Sequence, residues 1–233
     1  PYIVGGHTAS GYWVDNNRAT TIEGLYAAGD VAGGCPQKYV TGALAEGEIA
    51  AEAILEYLNG KDDDRIAAEN KEEALECGGE QELSQTAIAK KAEYESHLNA
   101  SRSLMNAEQL EEAMQKIMDQ YAGGISTDYR YSGMSLAKAD EKIAALLPVV
   151  DTLAATDTYE LMQIYELRER LIVCQAVIAH LAARKETRWH SFGENTDYPQ
   201  QSEEWMKYVN SRMENGEIKI LYRDLITKEN TGL

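Results

Sequence analysis

Gly24-Leu25-Tyr26-Ala27-Ala28-Gly29-Asp30, then a glycine-rich loop through Gly33 and Gly34, then Thr41-Gly42-Ala43-Leu44-Ala45-Glu46-Gly47, is the stretch on which the reading of this chain turns. A short apolar run ending at Gly29 reads as a strand that stops in a glycine turn. From Thr41 to Leu58 the apolar residues Leu44, Ile49, Ala53, Ile54 and Leu58 recur near helical spacing, and Asn59-Gly60 is a stop signal. The segment is therefore expected to run strand, tight loop, helix. A helix start presents unpaired N–H groups and the positive end of the helix dipole, which suits an anion or an electron-rich ring oxygen. Asp30 beside such a turn can accept hydrogen bonds from ribose or ribityl hydroxyls. A tight connection with no ligand satisfies the same pattern, and no GxGxxG accompanies it, so a self-contained dinucleotide phosphate site is not encoded here.

Outward from this stretch the texture changes twice. Residues 61–83 are dominated by Asp, Glu and Lys up to Gly78-Gly79, and they are expected to form an acidic linker, or a solvated helix with loops, after a first piece at 1–60. From 84 to 186 the pattern is helical. Leu104, Ala107, Leu110, Met114, Ile117, Met118 and Tyr121 share one face, with Asn106 and Gln109 placed as a capping pair. A second helix is expected over Ser135–Leu147, ended or kinked near Pro148. A third, from about Thr158 to Lys185, carries Leu161, Ile164, Leu167, Leu171, Cys174, Ile178 and Leu181. Three or four such helices make an antiparallel bundle. Residues 187–233, with Trp189, His190, Phe192, Tyr198, Trp205 and Tyr208, are expected to be an irregular aromatic-rich tail packed on another surface. The expected class is α+β: a small Gly-rich remnant of short strands plus a helix, then the bundle, then the tail.

Composition limits the partners. Thirty-nine acidic against 22 basic residues give a formal charge of −17. A field of that sign disfavours nucleic acid and anionic lipid. Cys35, Cys77 and Cys174 are widely spaced, without CxxC or Cys/His ligand patterns, so no metal or iron–sulfur site is expected and a reducing, cytoplasmic setting is. No transmembrane stretch is expected. The start at Pro1, inside apparently strand-rich sequence, suggests a piece of a longer chain.

The motifs carry a resemblance. The stretch Gly24–Asp30, the Gly-rich loop and Leu44-Ala45-Glu46 resemble the segment closing the FAD site in flavoprotein subunits of the succinate dehydrogenase/fumarate reductase superfamily. Ala182-Ala183-Arg184-Lys185-Glu186-Thr187-Arg188 resembles the A-R-K-E-S-R stretch that ends that family's helical domain. Asp197-Tyr198-Pro199 with Trp205 and Lys207 resembles its D-[YF]-P…W-x-K tail. Pro1 and Lys38 stand where succinate and fumarate enzymes carry a substrate His and Arg, and Trp189-His190-Ser191 replaces their G-A-H, which puts dicarboxylate chemistry in doubt. Gly6-His7, Ser10-Gly11-Tyr12-Trp13-Val14, Gln37-Lys38-Tyr39 and Glu186-Thr187-Arg188-Trp189 are similar to the adenylylsulfate reductase alpha branch.

That resemblance implies part of a FAD-dependent oxidoreductase reducing adenosine 5′-phosphosulfate to sulfite and AMP, fed by an iron–sulfur electron-transfer subunit. The rest of the flavoprotein is an implied partner, and the small substrate is anionic. By the same resemblance His7 and Lys38 are catalytic candidates. Gly29, Asp30, Gly42, Ala43, Leu44 and Glu46 are cofactor-binding candidates, and Trp13, Arg188 and His190 are substrate-side candidates. The pyrophosphate contacts of FAD would lie outside this stretch, so its site here is incomplete and the fragment itself inactive. A superfamily flavoprotein with another substrate, or a helical interaction module without flavin, stays open.

Overall fold

In the computed structural model, residues 11–33, 40–69, 78–101, 104–188 and 193–225 are described, with backbone alone over 61–69 and 78–84. The chain divides into two compact units, Pro1–Cys77 and Gly78–Leu233.

In the first unit, residues 11–33 form a compact loop structure held by isolated bridges. Tyr12 runs parallel to Ala32, and Val14–Thr20 and Ala19–Tyr26 pair antiparallel. The expected strand at 24–28 is reduced to the bridge at Tyr26, followed by a 3-10 turn at Gly29–Val31. Helix α1 spans Val40–Glu69. It runs straight through Asn59-Gly60, which corrects the expected stop there; within 61–83 the described residues 61–69 and 78–83 are helical, the second of the two forms expected for that segment. An interior glycine costs a helix only about 1 kcal/mol, and the Lys, Arg, Ala and Glu residues among those that follow support the helix.

The second unit is built on helices α2 (Gly78–Leu98), α3 (Ala107–Tyr121), α4 (Gly133–Val150) and α5 (Thr158–Ala183). Helix α3 starts at the expected capping box: Asn106 Oδ1 accepts from Gln109 N, and Gln109 Oε1 accepts from Asn106 N. Ser132 and Ser135 cap α4 in the same reciprocal way, and Asp157 caps α5 by accepting from Glu160 N. Helix α4 ends two residues past Pro148, whose ring removes one helical donor.

Leu110 and Met114 of α3, Leu136 and Ile143 of α4, and Ile164, Leu167, Leu171 and Ile178 of α5 share one core. Leu153, from the α4–α5 connector, is buried with them. Each buried Leu or Ile contributes about 1.5–3 kcal/mol by leaving water. Helix α2 is tied on by polar contacts: His97 Nδ1 lies 2.7 Å from the Leu153 carbonyl, Ala155 N donates to His97 O at 3.0 Å, and Arg168 bonds Glu93 at 3.2 Å.

The tail is not irregular throughout. Strands β1 (Arg130–Tyr131) and β2 (Glu194–Asn195) pair in parallel. Strands β3 (Lys207–Glu214) and β4 (Glu217–Asp224) form an antiparallel hairpin in register Lys207↔Asp224 to Glu214↔Glu217. Its two-residue turn, Asn215-Gly216, has φ of 51° and 81°. Such a turn twists with its strands and needs left-handed backbone at both positions, which Asn and Gly adopt most readily. Among the described residues, no helix is long and apolar enough to cross a membrane.

Candidate functional site

The first cluster is at the Gly29 turn. Gly29 has φ of +72°, and a Cβ built there would come within 3.3 Å of Ala43 Cβ. Glycine is thus favoured by the left-handed backbone, and an added Cβ would also crowd the first turn of α1. The contact brings Gly29 beside the first turn of α1, where Gly42 is half-buried and Ala43 and Leu44 are exposed.

Glu46, one turn further along α1, is only 5% exposed. Its Oε2 accepts from Gly29 N at 3.1 Å, and its Oε1 lies 3.4 Å from Arg18 Nε. The latter is an ion pair by distance, but its N–H is not aligned as a hydrogen bond. The structure therefore brings Gly29, Asp30, Gly42, Ala43, Leu44 and Glu46 together, and it directs the Glu46 carboxylate at the turn backbone. Trp13 is 40% exposed on the neighbouring Tyr12–Ala32 bridge. His7, Lys38 and His190 lie outside the described residues. Arg18 is not among the sequence candidates, because an arginine in a polar loop reads as solvated. Only its place in space marks it.

The second cluster lies at the end of α5. The Glu186 side chain is fully buried and accepts four hydrogen bonds. Oε1 receives Arg184 Nη1 at 2.6 Å and Arg188 Nε at 2.9 Å; Oε2 receives Arg188 Nη2 at 2.9 Å and Ser202 N at 3.0 Å. Burial pushes the Glu186 carboxyl up, but the bonds from Arg188, Ser202 and Arg184 outweigh it and hold the group below its ordinary value. The arginines continue to backbone: Arg184 to the carbonyls of Trp205 and Lys207, and Arg188 to that of Ser202. Buried Thr187 closes the loop by donating to Tyr198 O at 2.9 Å and accepting from Asn195 N at 2.9 Å. Asp197 Oδ2 accepts from Gly133 N at 2.7 Å, satisfying a donor at the start of α4. The two sequence motifs, 182–188 and 197–207, are thus one interlocked structure, with Arg188 held at Glu186.

The model of the fumarate reductase flavoprotein C-terminal family matches residues 111–231, the segment from α3 through the hairpin. The chain belongs to that family. Similar relatives share it with the first unit as well. The chain is 29% identical over 241 aligned positions to the adenylylsulfate reductase alpha subunit of Megalodesulfovibrio gigas, covering 91% of this chain and 35% of the relative. A solved adenosine-5-phosphosulfate reductase, in covalent complex with sulfite, is 33% identical. It matches with a TM-score of 0.70 over 90% of this chain and 33% of its own. Quinol fumarate reductase of E. coli matches at 21% identity with a TM-score of 0.68, over 94% of this chain and 37% of its own, a likeness of fold. The chain spans about a third of the length of these relatives.

Proposed function

We propose that this chain is the C-terminal part of a FAD-dependent oxidoreductase subunit that reduces adenosine 5′-phosphosulfate to sulfite and AMP. The observation that carries the reading is the 33% identity and 0.70 TM-score, over 90% of the chain, to a reductase of that substrate holding sulfite. The residues present fit a flavin. Gly29 brings its backbone against α1 without a Cβ, exposed Asp30 is next to it, and the helix start offers unpaired N–H groups.

Bound FAD would supply the two reducing equivalents that the substrate requires. Asp30 would orient the ribityl chain. The N–H groups of Gly42 and Ala43 would face the electron-rich edge of the ring and favour negative charge there by preorganised donation, with Leu44, whose own N–H lies in the helix ladder, beside them. Glu46 would keep the turn closed. His7 would hold a proton for the oxygen that leaves sulfur, and Lys38 would counter the substrate's negative charge. Trp13, Arg188 and His190 would line the substrate side. Residues 1–60 would make the flavin-facing piece, and the helical unit with its 187–233 extension would pack on the remainder of the flavoprotein. An iron–sulfur subunit would deliver the electrons.

The test uses the full flavoprotein subunit with its electron-transfer partner. Sulfite and AMP should form in equal amounts from adenosine phosphosulfate under a low-potential donor. Reduction of fumarate, with none of the phosphosulfate, would replace this reading with the dicarboxylate one.

A further inference from the structure

We propose that Arg18, a residue outside the candidate flavin set, is a positioning residue that locks the Gly29–Asp30 turn through Glu46. The inference rests on the flavin reading above only for its consequence, since the lock itself is a property of this chain.

Arg18 is held in an uncommon conformation. Its φ is 65°, in the left-handed region where a residue other than glycine is strained. Several bonds fix it there. Arg18 N donates to Asp15 O at 3.1 Å, and Ala27 N donates to Arg18 O at 3.0 Å. The guanidinium folds back on its own loop, with Nη1 donating to Asp15 O at 3.1 Å and Asn16 O at 3.2 Å. The Asp15 carboxylate accepts from Asn17 N and Ala19 N. A loop stapled in this way fixes where the guanidinium stands, and it places Nε 3.4 Å from Glu46 Oε1.

Glu46 is the reason this matters. Burying a carboxylate is costly unless a counter-charge and hydrogen bonds accompany it, and otherwise the group takes up a proton. Arg18 supplies the charge and Gly29 N–H supplies a bond to the other oxygen, at 3.1 Å. With Arg18 present, the carboxylate is a charged acceptor aimed at the first residue of the 3-10 turn that carries Asp30. Without it, the buried carboxylate would stand without a counter-charge and turn away from this position, and the Gly29 amide would lose a charge-assisted partner.

Two measurements on four proteins test this: wild type, Arg18→Met, Glu46→Gln and the double variant. The first follows amide exchange at Gly29–Val31 in this chain at pH 7, without flavin. Arg18→Met should speed exchange on the order of tenfold, the scale of one lost charge-assisted bond. Glu46→Gln should speed it by less, because an amide oxygen still accepts from Gly29 N–H as a neutral bond and leaves no buried charge without a counter-charge. The double variant should therefore return towards wild type, and Arg18→Lys should fall between. A residue that merely filled space would not be rescued by changing its partner, so Arg18→Met exchanging at the wild-type rate, or a double variant no slower than Arg18→Met, overturns the lock. If Arg18→Met does not fold, Arg18→Lys against Arg18→Lys/Glu46→Gln decides in the same sense.

The second measurement follows flavin dissociation from the full flavoprotein, where Arg18→Met should weaken retention in parallel with the exchange rates. A loosened turn with unchanged flavin retention keeps the lock and overturns the placement of the cofactor at this turn.

Discussion

Replacing Glu186 by alanine tests whether the arginine pair at the end of α5 is held together by one buried charge. The carboxylate receives four hydrogen bonds, three of them from two guanidinium groups. Loss of one member of a buried ion pair costs about 3–5 kcal/mol, chiefly because its partners stay behind uncompensated. Here the partners have some recourse. The side chains of Arg184 and Arg188 are 31% and 22% exposed and keep carbonyl acceptors at Trp205, Lys207 and Ser202. The lower end, about 3 kcal/mol, is therefore expected. For a unit of this size each kcal/mol moves the midpoint by about 2–4 °C, so thermal unfolding followed by circular dichroism should fall by about 6–12 °C. Glu186→Gln keeps the shape and loses the charge, and should cost roughly half as much. The pH dependence has a definite sign. The folded group titrates below its ordinary value of 4.5, so its contribution is present above that pH and lost as the pH falls through the folded value. Glu186→Gln should flatten the stability curve below about pH 4.5 and leave its shape unchanged above. A midpoint within 2 °C of wild type for Glu186→Ala, or equal losses for Ala and Gln, would refute the buried-charge account.

His180 should govern a milder pH region. Its Nε2 lies 2.9 Å from Ser211 Oγ, and burial, then the Arg184 charge, lowers its pKa from 6.5. Stability should therefore begin to decline as the pH falls below 6.5, and His180→Gln should remove that slope in pH-scanned denaturation. Gly216→Ala and Gly29→Ala should each lose about 1–2 kcal/mol to left-handed backbone in urea titrations. Only Gly29→Ala, which also presses on Ala43, should release flavin from the full subunit. In the same subunit His7→Ala should lower turnover by about 10²-fold with flavin retained, and Lys38→Ala should weaken substrate binding by about 1–3 kcal/mol. Wild-type kinetics in both variants would remove them from the mechanism. Limited proteolysis should separate the units near Cys77-Gly78 and leave the second intact, as protection mapped by mass spectrometry would show.

The bundle was legible because its signals are local. A 3.6-residue apolar period and a capping pair such as Asn106–Gln109 depend on residues a few positions apart. The hairpin was as legible in principle, since Asn215-Gly216 between alternating segments is a strong hairpin signal. The density of aromatics around Trp205 and Tyr208 drew the reading towards loop instead. The continuation of α1 past Asn59-Gly60 is hidden for a different reason: a stop signal is a propensity of about 1 kcal/mol, which helix-forming neighbours outweigh. At the Gly29 turn the sequence displayed the glycines, the acid and the helix start, but not Arg18. No period or spacing connects an arginine at 18 to a glutamate at 46, and only the fold does.

The two glutamate–arginine clusters bear on how a chain of charge −17 could serve an anionic substrate. Arg18 stands against buried Glu46, and Arg184 and Arg188 share buried Glu186. At short range the first cluster sums to about zero and the second to about one positive charge, since each carboxylate cancels one guanidinium. Cations committed in this way hold backbone in place, and only the second cluster keeps a net positive charge. On the proposed reading, attraction at the Gly29 turn would come from neutral dipoles, the N–H groups at the start of α1, and from Lys38. Dipole donors act only at contact range, whereas a lysine's field reaches about 10 Å at 0.1 M salt. If that division holds, raising ionic strength should weaken substrate capture by the wild-type subunit and barely affect the Lys38→Ala variant. An equal salt dependence in the two would mean that the long-range attraction arises elsewhere in the flavoprotein, and Lys38 would lose its part in substrate capture.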